Sequence, residues 1–147
     1  QTYEQIAQRA RAAGTLIVAA AGNDSRRPGK IKPVSRPANC PSILAVAAVD
    51  QALAVAPFSN RGENSGGGEV NIAAPGVDVL SLAPQAGHAE MSGTSMATPH
   101  VAGVAALLAE ANPDASADEL ADLLVAGAAS LPLSAEDVGA GLLRAPS

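Results

Sequence analysis

The apolar positions of the chain fall into two periods. Between Thr2 and Gly14, Ile6, Ala7, Ala10 and Ala13 recur on one helical face, with a capping-box pattern at Thr2–Gln5 and Gly14 as the stop. Thr15–Ala21 and Ile43–Val49 are unbroken apolar, β-rich runs, as expected of strands buried on both faces of a parallel sheet. Shorter strands are predicted around Val70–Ala74 and Val77–Leu82, punctuated by Pro75-Gly76. A long helix follows Ser95 and runs to about Ala111. It carries Val101, Val104, Leu107 and Leu108 at helical spacing with Ala and Gly between them, so burial all round is expected. Pro99 is tolerated because it falls in the first turn. Ser116-x-x-Glu119 caps a last helix bearing Leu120, Leu123 and Leu124. The polar, Pro-rich residues 24–42 and the glycine tract Gly62–Gly68 read as loops. This order predicts an α/β fold of three layers around a mostly parallel sheet, with residues 1–147 as one unit lacking repeats and linkers.

Composition sharpens the picture in one respect. The 147 residues are 48% hydrophobic, enough for a core, but there is one Phe, one Tyr and no Trp. Such a core suits close helix–sheet contact through Ala and Gly rather than aromatic anchors. The net charge of −5 is unevenly spread: residues 1–61 hold eight Lys/Arg against three Asp/Glu, and residues 62–147 hold one against eleven. Arg26, Arg27, Lys30, Lys32 and Arg36 have no interleaved aromatics and read as a solvated loop, so no nucleic-acid partner is expected. No apolar run reaches membrane-spanning length, and no membrane partner is expected. Cys40 is alone, which excludes an internal disulfide or a redox pair and leaves it as a small hydrophobe. Gly66-Gly-Gly68 lacks the Gly-Lys-Ser/Thr ending of a phosphate loop. The chain opens at Gln1 directly on a helix, and reads as a piece of something longer.

The chemistry concentrates in Gly93-Thr-Ser-Met-Ala-Thr-Pro-His-Val-Ala-Gly-Val104. Ser95 sits between small residues at the mouth of the long helix, where unpaired N–H groups can bind a developing oxyanion. Gly93 permits close backbone approach. A second candidate is Asn23, which follows Val18-Ala-Ala-Ala-Gly22 just beyond the end of a predicted strand, where ligand groups of α/β sheets gather.

The string at 93–104 strongly resembles the nucleophile segment of the subtilisin-like serine proteases, the subtilases. The resemblance implies a subtilisin-like fold and makes Ser95 the nucleophile. Ala-Ala-Ala-Gly-Asn23 matches the segment holding that family's oxyanion-hole asparagine, which implies that Asn23 donates a side-chain N–H beside the Ser95 N–H. Ala20, Ala21 and Gly22 would then wall the pocket for the residue preceding the scissile bond, with Thr94 also against substrate. Arg36-Pro-Ala-Asn-Cys-Pro-Ser-Ile-Leu-Ala-Val-Ala-Ala-Val-Asp50 looks like the family's segment after the substrate pocket. There the family often has a cis proline at the position of Pro37, and carbonyls near Ala38, Cys40 and Ile43 that hold a weakly bound cation, calcium or sodium; no cofactor is required. Pro57-Phe58-Ser59-Asn60 and Ala73-Ala-Pro-Gly-Val77 match further landmarks, and Asp137–Leu143 resembles the terminal strand.

A subtilase also needs a histidine base and an aspartate to orient it. Neither an Asp-Thr/Ser-Gly strand end nor a His-Gly-Thr helix start occurs in the chain. His100 lies five residues past Ser95, about 140° round the same helix, so its ring does not reach the hydroxyl. His88 reads as a loop histidine, and Asp24, Asp78 and Glu90 as solvated edges. The expectation is therefore the C-terminal portion of a subtilisin-like endopeptidase domain, inactive by itself. Its partners are a polypeptide substrate and the N-terminal half of the same domain, and its location secreted or at the cell envelope. A sheet cut at its middle would leave an unpaired strand edge and an uncovered helix face. The competing expectation is a degenerate subtilase module used for binding or assembly. An esterase or lipase is weaker, because Gly93-Thr-Ser95-Met-Ala97 lacks the final Gly of a Gly-x-Ser-x-Gly elbow.

Overall fold

The computed structural model describes residues 2–62, 68–85 and 87–146. The elements run α1 (Thr2–Ala12), β1 (Val18–Ala20), β2 (Leu44–Val49), β3 (Ile72–Pro75), β4 (Val79–Ala83), β5 (Gly87–Met91), α2 (Thr94–Ala111), α3 (Ala117–Ala126) and α4 (Ala135–Val138). Strands β1, β2 and β3 form a parallel sheet in that order, with Val18 opposite Leu44 and Val46 opposite Ile72. All six residues of β2 are buried, because the strand is paired on both edges and covered on both faces. Leu44, Val46 and Ala48 face a cluster with Ala97 and Val101 of α2 and Ala121 and Leu124 of α3. Ala45, Ala47 and Val49 face Val34, Ala38 and Val138. The layers are thus α2 and α3, the sheet, and a cover of loop and short α4. Alanines on both sides of β2 let each layer lie close to the sheet.

Several elements differ from what periodicity predicts. The run Thr15–Ala21 yields only a three-residue, half-buried β1, since among the described residues β1 has β2 as its one partner and lies at the sheet edge. The predicted fourth strand leaves the sheet: β4 pairs antiparallel with β5, whose sequence Gly-His-Ala-Glu-Met alternates over five residues only and has Met91 as its one large apolar side chain. Within α2 only Thr94, Ala97 and Val101 are buried, and Leu107 is 49% exposed, so the helix is covered on one side instead of all round. Ile6 is likewise exposed, leaving Ala7 as the buried residue of α1. Thr2 lies inside α1 and not before it. Asp137 and Val138 end α4 instead of entering a strand, and Leu142 alone bridges to Ala73 and Ala129. The middle of the predicted Gly62–Gly68 turn lies outside the described residues.

The basic loop is also less solvated than its composition implies. Arg27 is half-buried and bonds both the Ser59 carbonyl and the buried Asp137 carboxylate. Arg61 closes on the same carboxylate, with Nε 3.1 Å from Oδ1 and Nη2 3.0 Å from Oδ2. The capping box of α3 forms as predicted: Ser116 Oγ accepts from Glu119 N, and the Glu119 carboxylate accepts from Ser116 N at 2.8 Å. Loss of the Asp137 carboxylate strands two guanidinium groups, whereas loss of Ser116 Oγ frees one exposed N–H. Asp137→Ala is expected to lower unfolding free energy by about 3 kcal/mol and Ser116→Ala by about 1 kcal/mol, read from denaturant melts of the folded protein.

Candidate active site

Three chain segments meet at the carboxyl end of the parallel sheet. The first is the exit from β1. Ala21 N continues the ladder to Val46 O at 2.9 Å, and then the backbone turns at Gly22 with φ of 110°. A Cβ on Gly22 would lie 2.4 Å from Asn60 Nδ2 and 2.5 Å from Ser35 Oγ, so glycine is required both for the turn and for the contact. The turn carries Asn23 outward to an exposed position. The second segment is the exit from β3, where Gly76 N donates to Val49 O at 3.0 Å and Gly76 O accepts from Gly93 N at 2.8 Å. That bond docks the third segment, the start of α2, on the sheet.

Thr94 ties these segments together. Fully buried, it donates its N–H to Asn23 Oδ1 at 2.8 Å and its hydroxyl to the same oxygen at 2.9 Å. Its Oγ1 also accepts from Gly22 N at 3.2 Å. Because Asn23 Oδ1 faces an obligate backbone donor, the orientation of the amide is fixed and Nδ2 points away from Thr94. Ser95 is the second residue of α2 and lies exposed; its N–H has no carbonyl one turn back to meet. Met96 N bonds Gly93 O at 2.9 Å, and Ser95 N has no bond of its own among the described residues. A carbon placed where Gly93 lacks a side chain would lie 3.5 Å from Asn23 Nδ2, 3.5 Å from Met96 Sδ and 3.7 Å from Ser95 N. Two N–H donors therefore flank one point at the positive end of an 18-residue helix, beside an exposed hydroxyl. Such an arrangement favours an oxygen that gains negative charge next to the serine.

The other sequence candidates are distributed as follows. Ala20 and Gly22 are half-buried, while the Ala21 side chain is wholly buried in the core. His88 is not in a loop: it stands on β5 opposite Leu82, exposed. His100 Nδ1 contacts Met96 O at 2.8 Å, one turn back on α2. Asp78 accepts from Ser92 Oγ at 3.1 Å, and Asp24 accepts from Asn60 Nδ2 at 3.0 Å, so Asp24 is more than a solvated edge. The Arg36–Pro37 peptide is cis. Ala38, Cys40 and Ile43 line a small cavity with Gly68, Glu69 and Asn71, and Cys40 O already accepts from Ile43 N at 2.9 Å. In the sequence Asn60 is only part of the Pro57–Asn60 landmark; its role as a buried amide arises when the fold brings residue 60 beside residue 24. Thr94→Val keeps the volume but removes one donor and one acceptor from a buried tie. It is expected to destabilise the fold by about 1–3 kcal/mol in a denaturant melt.

A sequence profile of the subtilase family matches residues 1–141. Subtilisin Savinase of Lederbergia lenta is 42% identical over 144 residues, which are 98% of this chain and 49% of that protein. The halolysin-like extracellular serine protease Nep of Natrialba magadii is 42% identical over 132 residues, 90% of this chain and 23% of Nep. Among solved structures, a protease from Pseudoalteromonas arctica superposes with a TM-score of 0.81 at 34% identity, covering 95% of this chain and 43% of that one. The chain spans less than half the length of each of these relatives.

Proposed function

We propose, because the chain belongs to the subtilase family, that it is the nucleophile-bearing C-terminal portion of a serine endopeptidase domain. In this reading Ser95 Oγ attacks a peptide carbonyl, and the carbonyl oxygen moves between Asn23 Nδ2 and Ser95 N as it gains charge. Water then releases the acyl-enzyme. The placement of both donors within 3.7 Å of one point is the observation that carries the proposal. The base and the carboxylate that orients it come from a preceding segment of the same protein, so the chain alone is inactive. The free edge of β1 and the exposed side of α2, including Leu107, are where that segment would pack. Ala20 and Gly22 form a wall of the pocket for the residue before the scissile bond; Ala21 and Thr94, expected in the same wall, are fully buried and support it from behind without touching substrate. The substrate is a polypeptide, and an extracellular or envelope location accords with the extracellular protease Nep among the relatives.

The full-length protein tests this directly. A fluorophosphonate probe is expected to label Ser95; folded protein left unlabelled would instead be a degenerate module. Asn23→Ala is expected to lower turnover by about 10²–10³, the size known from a subtilisin's own asparagine and carried over from it. Gly93→Ala makes the same case by filling the hole. Its methyl meets neighbours only at 3.5 Å and beyond, so the unfolding midpoint should hold while turnover falls on the order of 10².

The carbonyls of Ala38, Cys40 and Ile43 would hold a structural calcium or sodium ion. Hard oxygen donors suit such a cation, Glu69 lines the same cavity, and the Cys40 carbonyl retains one free lone pair. Added calcium, or sodium replacing potassium at constant ionic strength, is expected to raise the unfolding temperature; a melt unchanged by either ion rules the site out.

A further inference from the structure

Asn60 is wholly buried with its side-chain oxygen and nitrogen both bonded, and all of its side-chain partners belong to the two residues after Asn23. Its Oδ1 accepts from Asp24 N at 2.9 Å, from Ser25 N at 3.1 Å and from Ser25 Oγ at 3.2 Å. Its Nδ2 donates to Asp24 Oδ2 at 3.0 Å. On the other side of Asn23, the Asn60 backbone N–H donates to Gly22 O at 3.0 Å, and Asn60 Nδ2 occupies the space a Gly22 side chain would need. One residue thus pins the backbone immediately before and immediately after Asn23. The segment bearing Asn60 is itself held: Ala48 N of β2 donates to Ser59 Oγ at 3.1 Å, and Ser25 N also reaches Phe58 O at 3.2 Å. The pins therefore run from the central strand of the sheet to the exposed Asn23.

We infer that Asn60 is a positioning residue for the Asn23 amide, fixing from the backbone side what Thr94 fixes from the side-chain side. The inference rests on the reading of Asn23 as an oxyanion donor. Exposed loops wander unless their backbone groups are tied down, and a donor that acts only in the transition state loses its effect when it is displaced. Neither alanine nor a hydrophobic residue can replace the four-way bonding of an amide whose acceptor and donor both point into the loop.

The test uses the full-length protein, with turnover of a peptide anilide counted per Ser95 titrated by a fluorophosphonate, so that unfolded molecules do not enter the rate. Misplacement of a catalytic group by about 1 Å costs about 10²-fold, so a partial displacement in Asn60→Ala should lower kcat about tenfold with KM held within about twofold. In an Asn23→Ala background the same substitution should change kcat less than about twofold, because the group it positions is gone. Equal losses in both backgrounds, or an unchanged kcat in the folded single variant, overturn the inference. Should Asn60→Ala fail to fold, Asp24→Ala takes its place, since it removes only the acceptor of Nδ2 at an exposed position. A loss that disappears in the Asn23→Ala background supports the inference, and no loss overturns it. An Asn23→Ala protein with full turnover is a different failure: it removes the donor role itself, whatever Asn60 does.

Discussion

The pairing of Thr94 with Asn23 is the contact on which the site depends. Asn23 follows a strand and Thr94 begins a helix, 71 residues later, and each supplies the polar group the other needs. The tie works because each partner is chemically constrained. The Thr94 N–H is one of the first in a helix and lacks an internal acceptor, so it seeks an outside oxygen. Asn23 can supply that oxygen only by turning its NH₂ the opposite way. A side-chain cap of the helix is normally a device of local stability. Here the cap comes from a distant residue, and its by-product is an oriented pair of amide hydrogens.

That arrangement in turn requires small residues. The alternating alanines of β2, with Ala73 and Ala74 of β3, bring α2 and the opposite cover close to the sheet. A Cβ on Gly76 would fall 2.6 Å from Ala48 Cβ and 2.9 Å from Gly93 O, so the start of α2 can rest on the end of β3 only over glycine. The shortage of aromatic residues, which at first looks like a thin core, is the counterpart of this close approach. Large side chains at these positions would lift the helix mouth away from the strand ends.

What was readable from the sequence follows from the range of the interactions. The helices α2 and α3 and the strand β2 announce themselves because periodicity, capping pattern and unbroken apolar runs are local signals, and all three appear where expected. Ser95 and Asn23 were found through a motif resemblance, and the structure brings them to one place. Burial was read less well. The Ala-rich face of α2 looked like a fully buried helix, but an exposed Leu107 and an edge strand β1 show that pattern alone cannot count the neighbours an element has. The β5 strand is not legible because its short alternation, Gly87, Ala89 and Met91 against His88 and Glu90, carries a single large apolar side chain, and its partner strand is no part of that pattern. Asn60 and Asp137 escaped for the same reason: a buried amide and a buried carboxylate are recognisable only by partners 35 to 110 residues away.

The charge asymmetry illustrates the last point best. A basic first half and an acidic second half, with the basic residues in a Pro-rich stretch, suggest a solvated loop. Instead the halves pair with one another, at Asp137 out of reach of most solvent. Arg27 and Arg61 from the basic half close on Asp137, Arg61 also approaches Glu136 at 3.3 Å, and Arg11 pairs with Asp118. These pairs join α1 to α3, and the loop beyond Asn23 to α4. A solvated basic loop would have left the residues after Asn23 free to move. Anchored through Arg27 to a buried carboxylate and through Asn60 to the central strand, the loop has two fixed points within four residues of the donor. The opposite charges of the two halves thus serve the same end as the small residues of the sheet, which is to hold a strand end and a helix mouth in register.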